Sequence, residues 1–170
     1  MKDDARIIKR ILSLKRHPEG GHYREVFRDE LGKTARSHST AIHFLLERGE
    51  VSRWHRVDVV EVWHWYRGAP LELLIAEENQ APVRHVLGNR IERGERPQIV
   101  VPALAWQSAK SLGRYTLTGC TVAPGFEFSN FELASEDVSS VLSLSAAAKP
   151  FPKRAQSRAK TRGRYSPSRR

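Results

Sequence analysis

The chain has 170 residues, enough for one domain with a sizeable core, and its single cysteine excludes an intrachain disulfide. Basic residues number 29 against 19 acidic ones, but nine of the basic residues and no acidic ones lie within 149–170. The charge excess therefore belongs to the last segment and not to the rest of the chain. No apolar run reaches the roughly 20 residues needed to cross a membrane, and the polar N-terminus argues against a secretory signal. We expect a cytoplasmic protein.

The spacing of apolar residues predicts a short amphipathic helix over residues 3–14, ended by Pro18 and the two glycines that follow it. Short β-branched and aromatic segments come next, separated by glycine and proline turns. We expect them to form strands over 22–27, 40–46, 51–57, 61–66, 71–76, 83–87, 98–101 and 115–122, and another short segment to begin at 106–109. A second short helix is expected within 133–144. This pattern predicts an all-β sandwich or barrel in one domain over 3–144.

The stretch 49–68 contains the strongest site candidates, His55 and Glu61. Strand side chains alternate between two faces. Alternation predicts one shared face for Arg53, His55 and Val57, and another for Glu61, Trp63 and Trp65. A carboxylate beside large aromatic rings is costly to bury unless it is paired, hydrogen-bonded or bound to a metal. The pattern therefore indicates either a lined cavity or an ordinary amphipathic hairpin in which His55 and Glu61 pair.

The same stretch resembles the first motif of the cupin superfamily, G-x5-H-x-H-x3,4-E-x6-G. Four fixed positions match, at Gly49, His55, Glu61 and Gly68, while Val57 stands where the second histidine would be. A degenerate second motif, P-x-G-x2-H-x3-N, begins at Pro102. In that motif Leu104, Gln107 and Ser111 replace the glycine, the histidine and the asparagine.

Five longer phrases resemble one cupin branch, catalogued as a domain of unknown function, and they occur in the same order as in that branch. They are RHPEGGHYRE (16–25), TAIHFLL (40–46), SRWHRVDVVEVWHWYRGAPLEL (52–73), GERPQIVVPALAWQSA (94–109) and GCTVAPGFEFSNFELA (119–134). The resemblance covers about 3–136. It implies a double-stranded β-helix, the cupin jelly roll, similar in fold to sugar-nucleotide epimerases, and a two-fold homodimer.

A full cupin metal site uses three histidines and one glutamate, and two of those histidine positions are Val57 and Gln107 here. The resemblance therefore implies a reduced site, in which His55, Glu61 and Gln107 bind one divalent metal ion together with waters. The alternative is that the three side chains form a hydrogen-bonded cluster that lines a wet pocket. Further candidate ligand-binding residues are Tyr23, Arg24, Arg53, Trp63 and Trp65.

Two classes of function remain open at this point. The first is an isomerase or epimerase acting on a sugar or another polar metabolite, with His55 transferring a proton and Glu61 orienting it. The second is a non-catalytic protein that only binds such a small molecule. The tail, 149–170, has three prolines and no acidic residue. We expect it to be disordered, and it is either a dispensable extension or a weak, non-specific contact for nucleic acid.

Overall fold

The computed structural model describes residues 5–29 and 36–147. The predicted disorder of the basic tail and its contact with nucleic acid fall on 149–170, outside the described residues, and stay predictions. The homodimer and the cytoplasmic location also stay predictions. No helix in the described part of the chain is long and apolar enough to span a membrane.

Within residues 5–29 and 36–147 the elements are helix α1 at Ala5–Ile11, eleven strands, and helix α2 at Glu136–Ala147. The strands are β1 (Lys15–Arg16), β2 (His22–Arg28), β3 (Thr40–Glu47), β4 (Val51–Val57), β5 (Val60–Gly68), β6 (Leu71–Ala76), β7 (Val83–Leu87), β8 (Gln98–Val101), β9 (Trp106–Ser111), β10 (Tyr115–Ala123) and β11 (Phe131–Leu133). Two short 3-10 helices lie at Ile91–Arg93 and Phe128–Asn130.

The strands form two antiparallel sheets, which confirms the predicted all-β jelly roll. One sheet has six strands in the order β1-β2-β3-β10-β5-β8, and the other has five in the order β11-β4-β9-β6-β7. The eight predicted strands are all present, with bounds within a few residues of those expected, and the short segment expected from 106 is the strand β9. The sequence did not predict β1 or β11, because each is only two or three residues long.

The main apolar core lies between the two sheets. Every second residue of β6 enters it, at Leu71, Leu73 and Ile75, as the alternation of strand side chains requires. Trp63 from β5 and Phe44 from β3 meet edge to face in the same core, with ring centroids 5.6 Å apart. Burial of such large side chains is the dominant favourable contribution to folding.

Strand β4 departs from simple alternation through a β-bulge. Ser52 is paired with Ala109 and His55 with Gln107, so three positions on β4 correspond to two on β9. The extra residue turns both Ser52 and His55 to the interior. Arg53 is exposed as a result, and the prediction that it shares a face with His55 is wrong.

The loop between β1 and β2, residues 17–21, approaches the backbone of β4 closely. The Arg53 N–H donates to the Glu19 carbonyl oxygen at 2.9 Å. Gly20 has a φ of +118°, and a Cβ there would lie 2.2 Å from the Val51 carbonyl oxygen. Only glycine combines this φ with such a close approach.

We expect Gly20→Ala to lower the free energy of unfolding by about 3 kcal/mol or more, because strain and a clash with backbone act together. Gly49→Ala is the matched control, since its φ is +84° but the new Cβ meets nothing within 4 Å. Its cost should be about 1–2 kcal/mol. Urea unfolding of both variants measures the difference, and equal losses would mean that the 17–21 loop does not pack as described.

Candidate functional site

A cavity of about 650 Å³ opens between the sheets at the end where the 17–21 loop lies. Its upper walls are aromatic, formed by Tyr23, Phe44, Trp63, Phe126, Phe128 and Phe131. Its polar side chains include His17, Glu19, His55 and Glu61. An apolar enclosure with a few converging polar groups is the usual form of a small-molecule site.

His55 is 3% exposed, and the β4 bulge directs its ring into the cavity. Its Nδ1 lies 2.7 Å from the Arg53 carbonyl oxygen. A carbonyl oxygen can only accept, so Nδ1 carries the proton and Nε2 presents a lone pair. Burial lowers the pKa of His55, although the nearby Glu61 opposes this shift. The imidazole is therefore neutral near pH ~7.

Glu19 is 5% exposed and lies against two imidazoles. Its Oε2 is 3.3 Å from His55 Nε2 and also 3.3 Å from His17 Nδ1. Its Oε1 accepts a hydrogen bond of 2.7 Å from the Ser52 hydroxyl. Because Ser52 is the other inward residue of the bulge, one irregularity in β4 positions both His55 and the partner of Glu19.

The hydrogen bonds indicate that Glu19 is protonated. The Glu19 N–H donates to His17 Nδ1 at 3.3 Å, so that nitrogen, like His55 Nε2, is an acceptor. An ionised carboxylate would face two lone pairs, whereas a neutral acid donates its proton to one of them. Burial raises the pKa of Glu19 to about 8, although the Ser52 hydrogen bond and the Arg53 charge oppose the shift. Burial and the proximity of His55 lower the pKa of His17 to about 4.

Glu61 forms a second buried carboxyl group in the cavity. Its Oε2 accepts from Gln107 Nε2, and Gln107 Oε1 in turn accepts from Trp63 Nε1 at 2.9 Å. Trp63 thus fixes which end of the Gln107 amide faces Glu61. Burial raises the pKa of Glu61, an effect that His55 and Gln107 partly offset. Burial also raises the pKa of the Cys120 thiol, which is hydrogen-bonded to Glu61.

The structure brings His55, Glu61, Trp63 and Gln107 together, as the sequence predicted. Tyr23 and Arg24 line the cavity. Two other candidates lie elsewhere. The Arg53 guanidinium donates to the Pro18 carbonyl oxygen at 2.6 Å, so it holds the 17–21 loop from outside. Trp65 packs against the main core, and its Nε1 donates to the Ala69 carbonyl oxygen at 3.1 Å.

Sequence reasoning missed His17 and Glu19 as site residues. Their segment, His-Pro-Glu-Gly-Gly, indicates only the end of a helix when it is taken as sequence, because proline and glycine mark turns. The available signal was a histidine and a glutamate two residues apart in a turn that needs two glycines. A turn of this kind can place both side chains on one side, toward the same cavity.

The metal set of His55, Glu61 and Gln107 stays a prediction. Gln107 Oε1 accepts from Trp63 Nε1 and its nitrogen donates to Glu61, so an ion bound there would share the amide oxygen with Trp63. His55 alone has the protonation state of a ligand, with a hydrogen-bonded Nδ1 and an open Nε2. Among the described histidines, cysteines and carboxylates, a set with ligand atoms within 4.8 Å of one another lies elsewhere, at His22, Glu47 and Glu50.

A family model described as Cupin superfamily (DUF985) matches residues 5–134. The chain belongs to this cupin family. A protein from Shewanella oneidensis with a known X-ray structure is 33% identical, with a TM-score of 0.79 over 86% of this chain and 94% of that one. A hypothetical protein from Leishmania major is 30% identical, with a TM-score of 0.74 over 84% of this cupin and 92% of that chain.

More distant cupins share the fold alone. Oxalate decarboxylase from Bacillus subtilis is 18% identical, with a TM-score of 0.56, and the match covers 69% of this cupin but only 29% of the decarboxylase chain. No match was found among proteins with curated descriptions.

The raised pKa of Glu19 predicts a loss of stability with rising pH. An acid whose pKa rises from 4.5 to about 8 on folding stabilises the native state at low pH, and that stabilisation is lost as pH rises toward 8. His17, lowered from 6.5 to about 4, acts in the opposite direction, but only below 6.5. Between pH 6.5 and 8 the Glu19 effect is therefore not offset by His17.

We expect the wild type to lose about 1–2 kcal/mol over this interval, at no more than about 1.4 kcal/mol per pH unit from Glu19. Glu19→Gln keeps the shape and removes the titration, so its urea midpoint should vary much less with pH. Glu78→Gln, in an exposed turn, is the control and should follow the wild type. Equal pH dependence in wild type and Glu19→Gln would contradict a neutral Glu19.

Proposed function

We propose that this cupin binds a small polar metabolite in its cavity and moves a proton on it, as an isomerase or epimerase does. The observation that carries the proposal is the buried Glu19 carboxyl group between the unprotonated nitrogens of His17 and His55. An acid and a base side by side in an apolar cavity are the groups that proton transfer at a carbon atom requires.

The two roles follow from protonation states near neutral pH. His55 Nε2 has an open lone pair and is the candidate base, because its Nδ1 proton is held by the Arg53 carbonyl oxygen. Glu19, with a pKa of about 8, still carries its proton and is the candidate acid. A catalytic pKa close to the working pH is favourable for proton transfer. The reacting group of the metabolite would take the place of the 3.3 Å contact between the two side chains.

Glu61 would support the base rather than exchange protons itself. Its negative form stabilises a protonated His55, and it raises the pKa of His55 against the effect of burial. Gln107 and Cys120 both hydrogen-bond to Glu61 and hold it in place. This is the orienting role that the sequence suggested for Glu61. Glu19, the proposed acid, is a residue that the sequence analysis did not include among the catalytic candidates.

The volume and lining of the cavity also support a small metabolite. About 650 Å³ lies within the range of roughly 300–1,000 Å³ usual for such sites. The aromatic rings can cover the apolar faces of a sugar or another ring, while the polar groups interact with one edge. Three basic residues, Lys15, Arg24 and Arg28, line the cavity against two outer acidic ones, Glu25 and Glu127, and this small excess favours an anionic substituent.

The test is a panel of sugar nucleotides and polar metabolites, first scored by thermal shift and then incubated with the protein in D₂O. We expect a binding metabolite to take up deuterium at one carbon with the wild type, as seen by proton NMR. His55→Ala and Glu19→Gln should each reduce the exchange rate by at least about 100-fold. Glu61→Gln should reduce it less, because the His55 base remains.

His64→Ala is the matched control, since its ring nitrogens face Gln98 and Thr121 rather than the cavity. Its exchange rate should equal that of the wild type. A metabolite that binds tightly to wild type without any exchange would replace the enzymatic proposal with the non-catalytic one. Unchanged affinity and exchange in His55→Ala would remove His55 from the site.

A further inference from the structure

A second polar group lies on the outer face of the six-stranded sheet, next to helix α1. His22 is paired with Leu45, and Leu45 packs against Ala5 of the helix. Glu47, at the end of β3, is on the same outer face, and Glu50 follows in the turn before β4. One ligand atom from each of His22, Glu47 and Glu50 lies within 4.8 Å of the others. None of the three lines the cavity described above.

His22 has an unpaired nitrogen aimed into this group. The residue is 8% exposed, and its Nδ1 is buried with no hydrogen-bond partner among the described residues. Glu50 Oε1 is 3.8 Å away, beyond hydrogen-bond distance. Leaving such a buried nitrogen unpaired is unfavourable. A ligand that uses its lone pair would recover this cost.

Two cations already contact the carboxylates. Lys9 Nζ bonds Glu47 Oε1, and Arg16 bonds Glu50 Oε1 at 2.6 Å. The second oxygen of Glu50 accepts the Glu47 N–H at 2.9 Å. Each carboxylate oxygen still has a further lone pair. A metal ion would therefore have to compete with a lysine, and this competition provides a test.

We propose that His22, Glu47 and Glu50 form a binding site for a divalent ion of the zinc class. One imidazole and two carboxylates are a donor set that suits zinc, whereas magnesium and calcium prefer oxygen ligands alone. Binding would close the three ligand atoms around the ion and release Lys9 from Glu47. Arg16 can remain on Glu50, as a charged partner that orients a metal-bound carboxylate.

The site would fasten two parts of the chain that matter for the cavity. His22 follows directly on the 17–21 loop, which carries His17 and Glu19. Glu50 immediately precedes β4, which carries Ser52 and His55. An ion bound by His22 and Glu50 would hold the loop and the strand together from the outer side, so it would stabilise the folded state without entering the cavity.

The experiment is isothermal titration of zinc chloride into untagged, chelator-treated full-length protein near neutral pH. We expect saturable zinc binding that His22→Gln and Glu50→Gln each weaken by about 10-fold or more. Lys9→Met should tighten it several-fold, because it removes the competing amine. His55→Ala, which alters only the cavity, should leave this binding unchanged, and magnesium chloride should give no comparable signal.

Circular dichroism first establishes that each variant is folded. If His22→Gln does not fold, Lys9→Met still decides, since a site that includes Glu47 predicts tighter binding when the competing amine is removed. The proposal is overturned if neither wild type nor Lys9→Met binds zinc, or if zinc binding is lost in His55→Ala and kept in His22→Gln. None of these outcomes depends on the isomerase proposal.

Discussion

The site depends on keeping one buried carboxyl group neutral. Burying an ionised carboxylate without a partner costs several kcal/mol, whereas a protonated one needs only hydrogen bonds. Glu19 has those bonds: it accepts from Ser52 and lies 3.3 Å from an unprotonated nitrogen of each of two histidines. The same burial that keeps Glu19 protonated keeps His17 and His55 uncharged. A single environment therefore produces an acid beside a base.

This arrangement is made possible by one irregularity in one strand. The β4 bulge turns Ser52 and His55 to the same side, although regular alternation would separate residues three apart. Between them, the backbone of Arg53 donates its N–H to the 17–21 loop and offers its carbonyl oxygen to His55. The loop needs glycine at position 20 to come this close. Removing any of these features would separate Glu19 from its partners.

The sequence predicted the strands well, because alternation and turn residues report local backbone structure. It predicted His55, Glu61 and Gln107 as neighbours from the cupin-like spacing, and they lie on β4 and its paired strand β9 and on β5 of the facing sheet. The prediction that Arg53 shares a face with His55 was wrong, because a β-bulge leaves no clear pattern in the amino-acid sequence. It also missed Glu19, whose turn looks like any other turn until the backbone contacts are known. The amide orientation of Gln107 depends on Trp63, a contact between different strands.

The protonation of the two imidazoles tests this account most directly. Nitrogen-15 NMR of the uniformly labelled protein near pH ~7 distinguishes the two neutral tautomers and the doubly protonated ring. The account predicts that His55 carries its proton on Nδ1 and that His17 carries its proton on Nε2, with neither ring charged. A doubly protonated His17 or His55 at this pH would mean that Glu19 is ionised and paired with it, and would contradict the neutral acid on which the proposed chemistry rests.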